Sequence, residues 1–221
     1  MGSITRSFAN NIGSSGILTA SAVANTTVED VTSFDNAASN ATLVLLSTQT
    51  ASASANISFT TGLDSTYDEY IFKYINIHPA SVAQLTFNLS TDGGSSYNVT
   101  KTTTTINPYH LEDGSDADVI YRTAWDLAQS TSYQIMAQEV GNGADETASG
   151  TLTLFNPSST TYVKHFIGIT QYYQNFGNTG AFGVLYAGYA NTTSAINAVD
   201  FKMSSGNIDD GIIKLYGVKK S

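Results

Sequence analysis

The sequence contains no cysteine, and its 221 residues include only 3 prolines. Without cysteine there is no disulfide, no thiol nucleophile and no thiolate metal site. No window reaches the roughly 20 apolar residues that a membrane-spanning helix needs. The first eleven residues are not followed by the apolar run of a signal peptide. We therefore expect a protein that is made in the cytoplasm and is not inserted into a membrane.

Charged residues are also scarce. They make up 12% of the chain, and 18 Asp and Glu outnumber 9 Lys and Arg, which gives a net charge of −9. A protein that binds nucleic acid needs clustered basic residues to neutralise phosphates, but here the only adjacent pair is Lys219 and Lys220. The composition therefore argues against binding to nucleic acid and against adhesion to an anionic membrane.

Polar but uncharged residues fill the place of the missing charges. Ser and Thr account for 55 of the 221 residues. β-Branched Thr suits the solvent-facing positions of strands, whereas long helices favour Glu, Lys, Leu and Ala. Together with a hydrophobic content of 41%, this predicts an all-β protein with a substantial core.

Residues 1–40 differ in texture from residues 41–221. The first region is rich in Ser, Thr, Asn and Ala, and its larger apolar residues are widely spaced. Such a segment buries too little apolar surface to offset its own ordering entropy. We therefore predict an N-terminal arm for assembly or attachment, ordered by contact with another subunit. Its candidate contact residues are Ile4, Phe8, Ile12, Ile17 and Leu18.

Strand signals are dense in the second region. Apolar residues occupy the odd positions of 51–59, which predicts one strand with a solvent-facing side. Residues 70–77 are apolar on both faces, which predicts a central strand that is covered on both sides. Asp92-Gly93-Gly94 predicts a hairpin turn, and only 126–130 has a short helical pattern. Further strands are predicted at 99–106, 118–125, 131–137, 150–156, 161–170, 181–189, 195–203 and 212–218.

The spacing of these strands, with a turn every 8–15 residues, is typical of a sandwich or a barrel. We expect an antiparallel β-sandwich, preceded by the extended arm. No internal repeat is present, which disfavours propellers and solenoids.

One acidic stretch, residues 112–118, is the best candidate for a metal site. Asp113, Asp116 and Asp118 could offer oxygen ligands to Ca²⁺. The stretch lacks the twelve-residue spacing of an EF-hand loop, so we favour a solvated acidic loop. The three histidines, His78, His110 and His165, are not spaced as metal ligands, and we expect structural roles for them. No cofactor is predicted.

Tyrosine is abundant, with 13 residues. Tyr97, Tyr109, Tyr172 and Tyr173 are candidates for surface contact, because tyrosines on loops stack on sugars or anchor protein interfaces. Packing in the core is the equally weighted alternative for each of them.

Catalytic motifs are not found. The sequence has no nucleophile elbow, no phosphate-binding loop and no zinc-protease motif. A β-sandwich glycosidase would need two carboxylates across a cleft, and the sequence does not say which would face each other. We therefore expect a non-enzymatic protein. A carbohydrate-binding module and a β-sandwich polysaccharide hydrolase remain as alternatives.

Several turn and strand motifs spread over nearly the whole chain form a distinctive set. They are Ile4–Ser7, Asn10–Ile12, Leu45–Thr48, Asp68–Lys73, Ser90–Tyr97, Leu154–Pro157, Ser204–Gly211 and Lys214–Val218. As a set they resemble a group of structural proteins of tailed bacteriophages, especially phages of marine bacteria.

This resemblance implies a virion protein with a jelly-roll-like body. We expect an outer component of the particle, either a tail fibre or receptor-binding protein or a head decoration protein. The expected partners are other copies of the chain in a homotrimer, other virion proteins, and a glycan or receptor on the host surface.

Overall fold

The computed structural model describes residues 42–176 and 178–220 of the chain. The arm residues Ile4, Phe8, Ile12, Ile17 and Leu18 lie outside the described residues. Within the described part all strand pairings are antiparallel, so the predicted all-β class is confirmed. The strands are β1 (Leu43–Ser54), β2 (Ile57–Phe59), β3 (Glu69–Pro79), β4 (Ala83–Ser90), β5 (Lys101–Leu111), β6 (Ala117–Tyr121), β7 (Gln134–Val140), β8 (Ala148–Phe155), β9 (Lys164–Phe176), β10 (Asn178–Ala190), β11 (Ala198–Met203) and β12 (Ile208–Val218).

Eight of these strands form a jelly roll. The first layer has the order β1-β12-β3-β8, and the second layer has the order β2-β11-β4-β7. The pairings are nested: β1 pairs with β12 while β2 pairs with β11, and β3 pairs with β8 while β4 pairs with β7. Two interlocked Greek keys have this arrangement. The predicted jelly-roll-like sandwich is therefore confirmed.

Four additional strands widen the first layer. Beyond β8 the order continues β9-β10-β5-β6, so this layer has eight strands and ends at β6. We call it the large sheet. The two layers are also joined by hydrogen bonding, at the paired position Val140–Gln174 between β7 and β9.

Aromatic side chains fill the space between the layers. Phe72 of the large sheet packs against Phe59 and Phe201 of the second layer, with ring centroids 5.3 and 5.4 Å apart. Phe87 of β4 packs edge-on against Phe166 of β9, at 5.3 Å. All five rings are at most 2% exposed. Because such pairs add about 0.5–1.5 kcal/mol each to the burial of apolar area, these contacts fix how the two layers face each other.

A buried hydroxyl cluster lies beside these rings. The hydroxyl of Tyr74 is 2.6 Å from Oγ1 of Thr170 and 3.4 Å from the hydroxyl of Tyr186. Burial raises the pKa of Tyr74 to about 12. Glycine is required next to this cluster, because a Cβ atom at Gly168 would lie 2.1 Å from Cζ of Tyr186. The glycines of β8 and β9 therefore make room for two large polar rings in the core.

The predicted strand over 51–59 is in fact two strands. β1 ends at Ser54 and β2 begins at Ile57, because the chain passes from the first layer to the second between them. Ala53 has a positive φ of 49° and is exposed, as is Ala55. The alternation of apolar and polar residues continues through the corner between the two layers. It predicted that Ala53 and Ala55 are buried, but both are exposed.

The prediction of a central strand at 70–77 is right in one respect and wrong in another. β3 is central, since it lies between β12 and β8. Tyr70, Phe72 and Tyr74 are buried on its inner face, but Ile75 on the outer face is 40% exposed. The outer side of β3 is therefore exposed at Ile75, where a cover was expected.

Two local predictions need correction. Gly93 and Gly94 have the positive φ values, 74° and 89°, that the predicted turn requires. However, β4 pairs with β7 and β11, so this turn does not form a hairpin with β5. The short helix predicted at 126–130 is a 3₁₀ helix at Thr123–Trp125, and the strand predicted at 118–125 already ends at Tyr121.

We expect Phe87→Ala to lower the free energy of unfolding by about 3–5 kcal/mol, because it leaves a cavity where three rings now meet. Chemical denaturation followed by circular dichroism measures this change. The control is Tyr162→Ala, since Tyr162 is 71% exposed, and we expect a change within about 0.5 kcal/mol. Similar losses for both variants would contradict the assigned core.

Candidate functional site

The acidic stretch that was the candidate calcium site forms the connection between β5 and β6. Asp113 accepts hydrogen bonds from the backbone and hydroxyl of Ser115, at 2.9 and 2.6 Å. Asp116 accepts one from the hydroxyl of Tyr109, at 2.6 Å, and Asp118 accepts one from the backbone N–H of the next residue. In the described ranges no three His, Asp or Glu side chains are grouped to hold a metal ion. The three carboxylates thus stabilise a turn and do not converge.

The four candidate tyrosines do not form one site. Tyr172 is 2% exposed, so its predicted surface contact is wrong, and it packs in the core. Tyr97 is half-buried against the Gly94 turn. Tyr109 stacks on a ring of β10 at 5.3 Å and donates its hydroxyl hydrogen bond to the β5–β6 turn. Tyr173 is partly exposed and lines a surface depression, to whose lining Tyr172 also contributes.

That depression is open to solvent and has a volume of about 410 Å³. It lies on the outer side of the large sheet, where the ends of β5, β9 and β10 meet the start of β8. Its polar side chains include those of His110, Glu112, Gln171 and Tyr173. The hydroxyl of Tyr173 donates a hydrogen bond to Oε2 of Glu112, at 3.3 Å. Partial burial, together with the negative charge of Glu112, raises the pKa of Tyr173.

Register explains why these residues meet. Ala181 of β10 pairs with His110 of β5 on one side and with Tyr173 of β9 on the other. Directly paired residues of a sheet project from the same face. His110, Glu112 and Gln171 were not singled out as contact residues from the sequence, because the pairing of β5 with β9 through β10 is not visible in local patterns. A flat ring, a carboxylate, an amide and an imidazole are groups that can orient a polar ligand.

Next to the depression, several exposed apolar side chains lie on the outer side of the strands β5, β6, β9 and β10. The cross-strand register aligns Tyr121, Ile106, Leu185, Ile169 and Thr151 in one row over β6, β5, β10, β9 and β8. Exposure is 54% for Tyr121 and 55% for Ile169. These side chains are therefore outside the core although they lie in the middle of regular strands.

The neighbouring rows have the same character. We define the uncharged face as the middle outward positions of these five strands, of which Ser149 and Gln171 also line the depression. They are Val119 and Tyr121; Thr104, Ile106 and Pro108; Gly183, Leu185 and Ala187; Ile167, Ile169 and Gln171; and Ser149, Thr151 and Thr153. None of these positions carries Asp, Glu, Lys or Arg. This surface therefore contributes nothing to the net charge of −9.

A buried lysine begins strand β5, on the inner side of that strand. Lys101 has no solvent exposure, and its ammonium group donates hydrogen bonds to Oδ1 of Asn88 and to the carbonyl oxygen of Val99. Asn88 in turn donates to the carbonyl oxygens of Tyr97 and Thr131, at 2.6 and 3.0 Å. These hydrogen bonds connect the segments that contain Tyr97, Val99 and Thr131 to strand β4.

A buried carboxylate has a similar role on the next strand. Asp200 of β11 is 1% exposed and accepts hydrogen bonds from Asn56, from Ser58 and from the hydroxyl of Tyr133, the last at 2.9 Å. Neither network was predicted from the sequence, since a single Lys or Asp in a strand is ordinarily solvated. Both networks join segments of the fold.

Raising the pH from about 7 to about 9 is expected to increase the free energy of unfolding more in the wild type than in Lys101→Met. Burial lowers the pKa of Lys101 to about 7, below the value of about 10.4 in an unfolded chain. Between these values the unfolded state holds a proton that the native state has lost, so stability rises with pH. Denaturation at several pH values measures the slope.

The control for this experiment is Lys220→Met, because the side chain of Lys220 is 49% exposed. We expect this variant to keep the wild-type slope. Equal slopes in the wild type and in Lys101→Met would contradict the lowered pKa of Lys101.

The described residues include no helix that is long and apolar enough to span a membrane. Comparison with known proteins gives no match, either to a protein-family model, to a curated protein or to a solved structure.

Proposed function

We propose that this chain is a non-enzymatic structural protein on the outside of a tailed-phage virion, anchored by residues 1–40. The body displayed on the particle would be the jelly roll, acting as a tail fibre or receptor-binding component or as a head decoration. The observation that carries the proposal is the uncharged face, because it is suited to assembly.

The size of the face supports this argument. Five strands spaced about 4.8 Å apart, with three outward rows spaced about 6.8 Å apart, cover roughly 500 Å². Monomeric soluble proteins rarely expose apolar patches larger than a few hundred Å², and larger ones mark interaction sites. A protein with this face is therefore suited to function inside an assembly.

The resemblance to phage structural proteins adds a second line of support. In the described part of the chain its motifs fall on β1, β3, β8 and β12 and on turns. These four strands are the part of the large sheet that belongs to the eight-stranded jelly roll. The added strands β5, β6, β9 and β10 carry none of the motifs, although they carry most of the uncharged face and of the depression. We infer a shared framework with an added surface for the specific contacts of this protein.

Carbohydrate binding is the second candidate function, and the depression favours it. Tyr173 offers a ring face, while Glu112, Gln171 and His110 offer hydrogen-bonding groups around it. Sugar recognition combines these two features. Glu112 is the one carboxylate among the lining residues, whereas glycosidases use two, so the depression favours binding over hydrolysis.

We expect a chain without residues 1–40 to fold and to be absent from particles. The described body contains the complete double Greek key and its aromatic core, so it does not need the arm for folding. Circular dichroism and thermal unfolding test the fold, and immunoblotting of purified particles tests incorporation. The matched control is the full chain expressed at the same level. Equal incorporation of both would refute the anchoring role of the arm.

If the depression binds a glycan, Tyr173→Ala should weaken binding by about tenfold or more, because a lost stacking contact removes roughly 1–2 kcal/mol. A glycan array identifies a ligand, and titration calorimetry with that ligand measures the change. Tyr162→Ala is the control, since Tyr162 is exposed and does not line the depression. An array without any hit would dismiss this function.

A further inference from the structure

We propose that the side chains of Lys101 and Asn88 join in a covalent amide bond after the chain has folded. The bond links the start of β5 to β4 within one molecule, and its by-product is ammonia. The inference goes beyond the proposed function and does not depend on it, because it concerns a chemical step inside the body of the protein.

The two reacting groups are in contact and are shielded from water. Lys101 and Asn88 both have no solvent exposure. The side-chain nitrogen of Lys101 donates a hydrogen bond to Oδ1 of Asn88, so it lies close to the amide carbon that carries this oxygen. Asn88 lies within β4, and Lys101 is the first residue of β5. The strands therefore hold the pair in an arrangement from which reaction can begin.

The amine of Lys101 is suited to act as a nucleophile. Within the described part of the chain its hydrogen-bond partners are Oδ1 of Asn88 and the carbonyl oxygen of Val99, and both are neutral. A buried ammonium group without a carboxylate partner is costly, and burial lowers the pKa of Lys101 to about 7. The neutral amine, which has the free electron pair that attack requires, is therefore well populated near neutral pH.

The amide of Asn88 is held and polarised for this attack. Its nitrogen Nδ2 donates hydrogen bonds to the carbonyl oxygens of Tyr97 and Thr131, at 2.6 and 3.0 Å, which fix the plane of the amide. Its oxygen Oδ1 accepts a hydrogen bond from the backbone N–H of Leu89, at 2.9 Å. Negative charge develops on this oxygen when an amine adds to the amide, and an N–H that already points to it stabilises that charge.

The reaction exchanges one amide for another. The electron pair of Nζ of Lys101 forms a bond to Cγ of Asn88, and the bond between Cγ and Nδ2 breaks. One proton passes from Nζ to Nδ2, which then leaves as ammonia, so no oxidant, reductant or further reactant is needed. Because water is excluded from the site, the new amide is protected from hydrolysis.

Asp200 is placed to carry the proton between the two nitrogens. It is the register partner of Asn88 on the neighbouring strand β11, and paired residues have Cβ atoms about 5 Å apart on the same face. Its carboxylate is 1% exposed and is held by hydrogen bonds from Ser58 and Tyr133. A fixed carboxylate beside the pair can accept a proton from one nitrogen and return it to the other.

Lys164 is a buried lysine that lacks the second reacting group. It has no solvent exposure, and burial lowers its pKa as well. However, its side-chain nitrogen donates hydrogen bonds to the backbone carbonyl oxygens of Tyr162 and Thr192, at 3.0 and 3.1 Å. In the described part of the chain no side-chain amide is hydrogen bonded to it, so Lys164 provides the matched control.

The test is the intact mass of the purified full chain. We expect most wild-type molecules to be lighter than the sequence requires by one molecule of ammonia, and Lys101→Met to have its full mass. Lys164→Met and Lys220→Met are the buried and the exposed control, and both should lose ammonia as the wild type does. Circular dichroism verifies that the variants are folded. A folded wild type of full mass would overturn the inference, as would a loss of ammonia that Lys101→Met retains.

Tryptic digestion of the wild type locates the bond, which is necessary because an asparagine that cyclises to a succinimide also releases ammonia. Trypsin does not cleave after an acylated lysine. The digest should therefore contain one peptide of residues 74–122 that lacks one ammonia, with no fragment ions from between residues 88 and 101. Separate peptides 74–101 and 102–122 of unchanged mass would contradict the bond.

Asp200→Asn tests the proton transfer. We expect the folded variant to form the bond about 100-fold more slowly or less, since it cannot accept a proton. Cell-free synthesis sampled over time, with the intact mass as readout, measures this rate. An unchanged rate in the folded variant would overturn the role of Asp200.

The bond also changes the titration of Lys101. An amide nitrogen does not take up a proton near neutral pH, so the pH dependence of unfolding described for the buried amine belongs to molecules in which the bond has not formed. The intact mass of the same sample shows which form is present. Molecules that lack ammonia should have the slope of Lys101→Met, and a steeper slope in such molecules would contradict the bond.

Discussion

The aromatic contact between the two layers is the interaction on which the rest of the structure depends. Phe72 of β3 meets Phe59 and Phe201 of the second layer, and Phe87 meets Phe166 in the same way further along the sheet. The chain has no cysteine, so no disulfide helps to hold the layers together. Burial of these rings therefore sets the distance and the orientation of the layers.

The uncharged face is a consequence of this constraint. In a strand, successive side chains point to opposite faces, so β9 cannot bury Phe166 without projecting Ile167 outward. Likewise β10 buries Tyr186 while Leu185 and Ala187 point to the outer side. A solvated sheet would carry charged or strongly polar residues at those outward positions. This sheet carries Ile167, Ile169 and Leu185 there, and these exposed apolar residues support the proposed role in an assembly.

The features that could be predicted from the sequence are those whose signals lie within a short stretch of the chain. Alternation identified most strands, and the turn glycines were placed correctly, because these signals are local. The break between β1 and β2 was missed, since it depends on which layer each half joins. Tyr172 and Tyr173 are adjacent and of the same residue type, and only the register of β9 decides that the first is buried. The depression was missed for a related reason, because β10 brings distant segments together.

The two candidate surfaces lie on the same outer side of the large sheet, and this limits how the protein can present them. The depression includes His110, Glu112 and Tyr173 at one end of β5 and β9, whereas Ile106 and Ile169 lie further along the same strands. If the chain assembles through the apolar rows, the depression lies at the margin of the contact and recurs on every copy in the assembly. A weak ligand at each depression would then be held by several sites at once, and multivalency raises binding well above that of a single site. The same strands would thus connect assembly to recognition, without any change in the framework that the aromatic core holds in place.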